Sequence, residues 1–164
     1  MISFVNDYSE GACDEILRAM IETNHTQTPG YGLDAHCEQA AELIRKACGT
    51  RKADVHFLVG GTQCNKTLIA AALRPHEAVI CADTGHINVH ETGAVENSGH
   101  KVIALRADDG KVRCSDIEQA VKKHTDEHMV KPKMVYLSNA TELGTFYTKQ
   151  ELSDIWKQFR LQAQ

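Results

Sequence analysis

Residues 54–73 read DVHFLVGGTQCNKTLIAAAL. A short apolar run ends at Gly60-Gly61-Thr62, and a helical pattern begins at once. A helix start exposes unpaired backbone N–H groups and the positive end of the helix dipole. Two glycines let a bulky anion approach the backbone, and Thr62 adds a hydroxyl donor. Strand, Gly-Gly-Thr, helix is therefore suited to hold a phosphate. The stretch fits neither G-x-x-x-x-G-K-[ST], because Lys66 falls at the wrong place, nor G-x-G-x-x-G. The same residues also make a plain tight turn with Thr62 as helix cap, and the junction alone does not choose between the two.

His86 follows the next apolar run, which ends near Cys81. In a parallel sheet both turns lie at the carboxyl ends of strands, where ligands of open α/β sheets bind. A phosphate cradle and an imidazole on one rim suit a phosphorylated ring cofactor with His86 packed on its face. Two metal readings compete: His86-x-x-x-His90 with Glu91, and His124-x-x-x-His128. Neither is H-E-x-x-H and neither offers a third ligand by spacing, so no metal is assigned. His90, His124 and His128 read as solvated or capping histidines.

The elements that must position these groups come from two alternating periods. Ile16, Leu17, Met20 and Ile21 have helical spacing within residues 11–23, and residues 25–32 form a polar loop. Asp34 caps a helix to about Cys48, with Gly49 as its stop. Strands are expected at 55–59, 78–82, 101–105 and 133–138. Helices are expected at 62–73, in one or two pieces over 86–98, from a Ser115/Glu118 capping box to about 126, and from a Thr148/Glu151 box onward. Strands alternating with helices give an α/β fold with a mostly parallel sheet. Residues 1–50 read as an N-terminal helical arm and loop, and 51–164 as the α/β part.

The chain has 164 residues, 42% hydrophobic and 24% charged, with 18 basic and 22 acidic side chains well mixed. A net charge of -4 argues against nucleic acid or anionic lipid as the main partner. There is no apolar run long enough to span a membrane and no signal-peptide order at the start. The six cysteines form no C-x-x-C and no recognisable framework, so they read as buried free thiols in a reducing cytoplasm.

Together, the stretches FVNDYSEGA, NHTQTPGYGLD, VHFLVGGTQCN, ADTGHINVHETGAVENSGHKV and MVYLSNATELGTFYTKQEL resemble the low-specificity threonine aldolases, in the β-eliminating lyase group of pyridoxal-phosphate enzymes. The resemblance implies a fold-type-I large domain: a seven-stranded sheet with helices on both faces and the cofactor at the rim. It implies that Gly61, Thr62 and, more weakly, Gln63 hold the cofactor phosphate. His86 would stack on the pyridine ring as the catalytic-site histidine. Ser9 would lie near the substrate carboxylate, Tyr31 on a loop bordering the site near a subunit boundary, and Asn139 in a segment lining the site. It also implies a small amino-acid substrate and a homo-oligomer. Many family members have a histidine two residues beyond that asparagine; here Thr141 stands there, followed by Glu142.

Pyridoxal phosphate acts as an electron sink when a lysine anchors it and a carboxylate pairs with its pyridinium nitrogen. The resemblance places both groups after the helix that starts at Thr148, the carboxylate in an Asp-Gly-Ala-Arg motif. Neither motif occurs in this sequence. The expectation is an incomplete fold-type-I domain: the amino-terminal half of an aldolase cleaving β-hydroxy-α-amino acids such as threonine and allo-threonine to glycine and an aldehyde, inactive alone. The alternatives are a non-catalytic module pairing with a full-length paralogue, or a β-eliminating amino-acid lyase.

Overall fold

A computed structural model describes residues 3, 5, 6 and 8–162. Phe4 and Asp7 of the FVNDYSEGA stretch lie outside the described residues. The chain forms two compact units, Met1–Phe57 and Leu58–Gln164.

The first unit holds two helices, α1 (Asp14–Thr23) and α2 (Ala35–Ala47). Asp34 caps α2 by accepting from the Cys37 N–H at 2.9 Å. Gly49 follows α2 at φ 65°, a left-handed conformation that glycine takes without strain. Residues 55–59 are not a strand, against the expectation from their apolar content. They have no ladder partner, and Phe57, Leu58 and Val59 are exposed. An apolar β-prone run becomes a strand only when another strand takes its N–H and C=O groups.

The second unit runs α3 (Gly61–Ala72), β1 (Glu77–Ala82), α4 (His86–Val89), α5 (Ala94–Asn97), β2 (Lys101–Leu105), α6 (Cys114–Lys123), β3 (Lys131–Val135) and α7 (Lys149–Gln162). Its three strands form one parallel sheet in the order β2-β1-β3. β1 is the central strand, and residues Ala78 to Ala82 are all buried. Its side chains alternate between two cores, as the two-residue strand period demands. Ala78, Ile80 and Ala82 face Ile117 and Ala120 of α6, Tyr147 and Ile155 of α7. Val79 and Cys81 face Ile69 and Leu73 at the end of α3, Ile87 of α4 and Val95 of α5. Helices thus cover both faces, and β1 has to be apolar throughout.

Other elements depart locally from the sequence expectation. α6 is not opened by Ser115 and Glu118; instead the Asp116 carboxylate accepts the Arg113 N–H at 3.0 Å. It ends at Lys123, where His124 Nδ1 lies 2.7 Å from the Ala120 carbonyl oxygen, so this histidine caps the helix. The Thr148/Glu151 box forms as expected: Glu151 accepts the Thr148 N–H at 2.7 Å, and Thr148 Oγ1 accepts the Glu151 N–H at 3.2 Å. Of the six free cysteines only Cys81 is buried, and burial pushes its thiol up to about 12. Cys13 and Cys48 are exposed, against the expectation of buried thiols. Among the described residues no helix is long and apolar enough to cross a membrane.

Candidate functional site

The turn into α3 is open. Gly60 is extended at φ -170°, and a Cβ built at Gly60 or Gly61 would meet no heavy atom within 4 Å. The Cys64 N–H closes the first turn of the helix onto the Gly60 carbonyl at 2.9 Å. The N–H groups of Gly61, Thr62 and Gln63 precede that bond and have no carbonyl within the helix to take them. Gly61, Thr62 and Gln63 are all exposed. Gln63 turns its Oε1 back to accept the Val59 N–H at 2.9 Å, which braces the entry to the turn. The turn presents neutral amides at a helix start with open space in front of them, an arrangement that can take an anion.

His86 opens α4 just beyond β1. The chain reaches it through Gly85, whose N–H bonds the Ala82 carbonyl at 2.9 Å. A Cβ on Gly85 would sit 3.0 Å from that carbonyl oxygen and 3.4 Å from Cys81 Cβ, so the turn needs glycine. The His86 side chain keeps 40% of its surface exposed. Its Nδ1 is 2.8 Å from Glu91 Oε1, and Glu91 has a fully buried side chain. The same oxygen accepts from Asn65 Nδ2 at 2.6 Å. Asn65 lies one turn into α3, four residues after Gly61. His86 and α3 are therefore joined through two side-chain hydrogen bonds. The metal spacing His86-x-x-x-His90 is used differently: the two rings lie 5.5 Å apart, tilted by 58°, and Glu91 turns to His86. Among the described residues no group of three or more His, Cys, Asp or Glu is placed to hold a metal ion.

Asn139 follows β3, the parallel neighbour of β1, so it and His86 share the carboxyl rim of the sheet. Its Oδ1 accepts the Tyr147 N–H at 3.0 Å, which ties it to the start of α7. Thr141 is buried; its hydroxyl lies 2.8 Å from Thr145 Oγ1 and accepts the Thr145 N–H at 3.2 Å. That hydroxyl is committed to holding the 141–145 loop. Ser9 and Tyr31 belong to the first unit. Ser9 Oγ donates to Asn6 Oδ1 at 2.7 Å, and Tyr31 is fully exposed at φ 65°.

Sequence reasoning missed Asn65, and it named Glu91 only within a metal reading that it did not adopt. The five-residue interval between His86 and Glu91 fits no helical face, and α4 ends at Val89. For Asn65 one signal was available: it sits four residues after Gly61, on the same side of α3.

The sequence model of the beta-eliminating lyase family matches residues 4–160. A low specificity L-threonine aldolase from a Pseudomonas species is 33% identical over 93% of this chain, and one from Pseudomonas aeruginosa is 34% identical over the same share. The chain spans 44% of the length of each. A solved structure of Leishmania major threonine aldolase superposes with a TM-score of 0.95 at 52% identity, covering 98% of this chain and 47% of that one. The parallel sheet with helices on both faces matches part of a fold-type-I domain. A family match over nearly the whole chain, carried on that fold, places this protein in the beta-eliminating lyase family.

Proposed function

We propose that this chain forms the phosphate-holding and ring-holding part of a pyridoxal-phosphate-dependent threonine aldolase, acting on small β-hydroxy-α-amino acids. The observation that carries this reading is the Asn65–Glu91–His86 connection, which ties a half-exposed imidazole to the helix that begins with an open Gly61-Thr62 turn. The cofactor, when bound, supplies an electron sink for cleavage of the Cα–Cβ bond. The residues here fit its two ends. The amides of Gly61 and Thr62 and the Thr62 hydroxyl grip a phosphate, Gln63 braces that turn, and His86 offers a face to an aromatic ring. Ser9, Tyr31 and Asn139 are assigned to the substrate side of the site. Thr141 is not assigned to the substrate hydroxyl, since its own hydroxyl is committed to Thr145. The free thiols suit a reducing cytoplasm.

No lysine of the sequence lies in the family's anchoring context, so binding by this chain alone is expected to be non-covalent. Titrating the chain with pyridoxal phosphate should give a saturable change in cofactor absorbance. Gly61→Asp, which puts a carboxylate where the phosphate sits, should weaken it at least ~10-fold. Borohydride should then leave no pyridoxyl-lysine at a single site. Absence of saturable binding overturns the proposal; a stoichiometric adduct overturns its non-covalent part.

A second reading, a module that associates with a second copy or with a longer relative, is favoured by one observation. Val135, Leu137, Leu152, Ile155, Trp156 and Phe159 line an apolar groove of about 330 Å³ between β3 and α7, and Trp156 is 59% exposed. Light scattering after gel filtration tests it: a monomer at high concentration that co-purifies with no longer relative removes this reading.

A further inference from the structure

We propose that Glu91 and Asn65 are positioning residues for His86: they hold the imidazole in the tautomer with its proton on Nδ1 and fix the ring relative to α3. The inference deepens the reading of His86 as a ring-stacking residue and rests on it for its consequence, although not for its first test.

The argument starts from the two hydrogen bonds to one oxygen. Glu91 Oε1 takes the Asn65 amide N–H at 2.6 Å and faces His86 Nδ1 at 2.8 Å. An oxygen already accepting from Asn65 is set up as an acceptor, so the proton between it and Nδ1 belongs on the ring. Which imidazole nitrogen carries the proton is decided by the partner of the other, and a carboxylate facing Nδ1 selects Nδ1–H. A free histidine side chain in water favours the opposite, Nε2–H form, so the carboxylate imposes a state the ring would not adopt unaided.

The second argument is burial. The Glu91 side chain is fully buried and its Oε2 has no hydrogen-bond partner. Burying a carboxyl group with an orphan oxygen is costly, most of all in its charged form. A solvent-exposed glutamate would avoid that cost if nothing depended on its bonds. Here its one partnered oxygen joins the second turn of α3 to the first residue of α4. These elements carry the two ends of the proposed cofactor site. The tie sets the imidazole plane against the helix whose N-terminus would hold the phosphate, so a ring and a phosphate joined in one molecule meet both at a fixed spacing.

The test begins with the unaltered chain. Long-range ¹⁵N–¹H correlation spectra of histidine-labelled protein, recorded at a pH where free imidazole is neutral, report the protonation of each ring nitrogen. The His86 signals are identified by their loss in His86→Gln. The expected result is a protonated Nδ1 at His86. A bare Nδ1 overturns the proposal, since Glu91 would then donate rather than accept. Glu91→Gln keeps an oxygen toward Nδ1 and should keep the tautomer. Glu91→Leu removes it and should return His86 to Nε2–H, while weakening pyridoxal phosphate binding ~10-fold or more, as loss of an orienting partner usually does. Equal weakening in both variants would count against positioning. If Glu91→Leu does not fold, the unaltered chain and Glu91→Gln still decide. Protonated Nδ1 without cofactor binding leaves this inference standing and removes the functional reading; cofactor binding with a bare Nδ1 does the reverse.

Discussion

Two ten-residue amphipathic helices show how differently the halves of this chain are finished. In α1 the apolar stripe of Ile16, Leu17, Met20 and Ile21 stays exposed, Ile21 at 74%, and no residue is buried. In α6 the stripe of Ile117 and Ala120 is buried against β1, with Ile117 at 0% exposure. Periodicity states what a helix would bury, and whether it does depends on a second surface being there. The same holds for strands. EAVICA is central in a sheet, while the similarly apolar run at 55–59 has no ladder.

The largest contrast should be chemical. Cys81 is buried on β1, where burial pushes its thiol up to about 12, while Cys13 at the start of α1 is exposed. The thiolate is the reactive form. At pH ~8, alkylation of exposed Cys13 in the native chain should outpace that of buried Cys81 by well over ~10-fold, because burial both shields the Cys81 thiol and disfavours its thiolate. Mass spectrometry of quenched digests reads this directly, and comparable labelling of both would show that β1 opens readily.

Stability should follow the same division. Ile117→Ala removes a side chain with no exposed surface and leaves a cavity under α6, at a cost of about 3 kcal/mol. Ile21→Ala on α1 should change stability by less than ~0.5 kcal/mol, as surface substitutions do. Urea unfolding of both variants tests the comparison. A cost at Ile21 close to that at Ile117 would mean that α1 is covered in solution, by a second copy or another protein.

What the sequence disclosed depended on whether the information was local. The span 101–105 was legible as a strand because its apolar run is bounded by turn residues, and α7 because Thr148 and Glu151 sit three apart ahead of the apolar spacing. The helix starts at Gly61 and His86 were legible because each follows an apolar run by a few residues. Residues 55–59 misled because pairing is non-local. Ser115 misled because Asp116, one residue later, reaches the Arg113 N–H instead. Glu91 was visible only as a third member of the His86-x-x-x-His90 metal spacing. Its burial, and its bond to an asparagine 26 residues earlier, depend on how α3 and α4 pack, which no short window contains. The resemblance pointed to the family, and the packing gave the connections among His86, Glu91 and Asn65.

The smallest effect concerns how the two kinds of helix begin. α1 starts at Cys13, whose side chain makes no cap bond. α7 starts at Thr148, whose hydroxyl and N–H both pair with Glu151, and Glu151 also binds Lys111 Nζ at 2.5 Å. Thr148→Ala should therefore cost about 1 kcal/mol, and Cys13→Ala close to nothing. The same box adds a pH signature. The bond from Lys111, then those from Thr148, hold the Glu151 carboxyl down to about 2, from an ordinary value of 4.5. A carboxyl whose folded value is depressed binds its proton more readily in the unfolded chain. Its contribution is complete above pH 4.5 and is lost as the pH falls toward 2. Urea midpoints measured across that window should fall more steeply for the unaltered chain than for Glu151→Gln, and added salt should narrow the gap because the pair is partly exposed. Parallel curves would mean that the carboxylate is not held by Lys111 in solution, and that α7 is anchored by its apolar face alone.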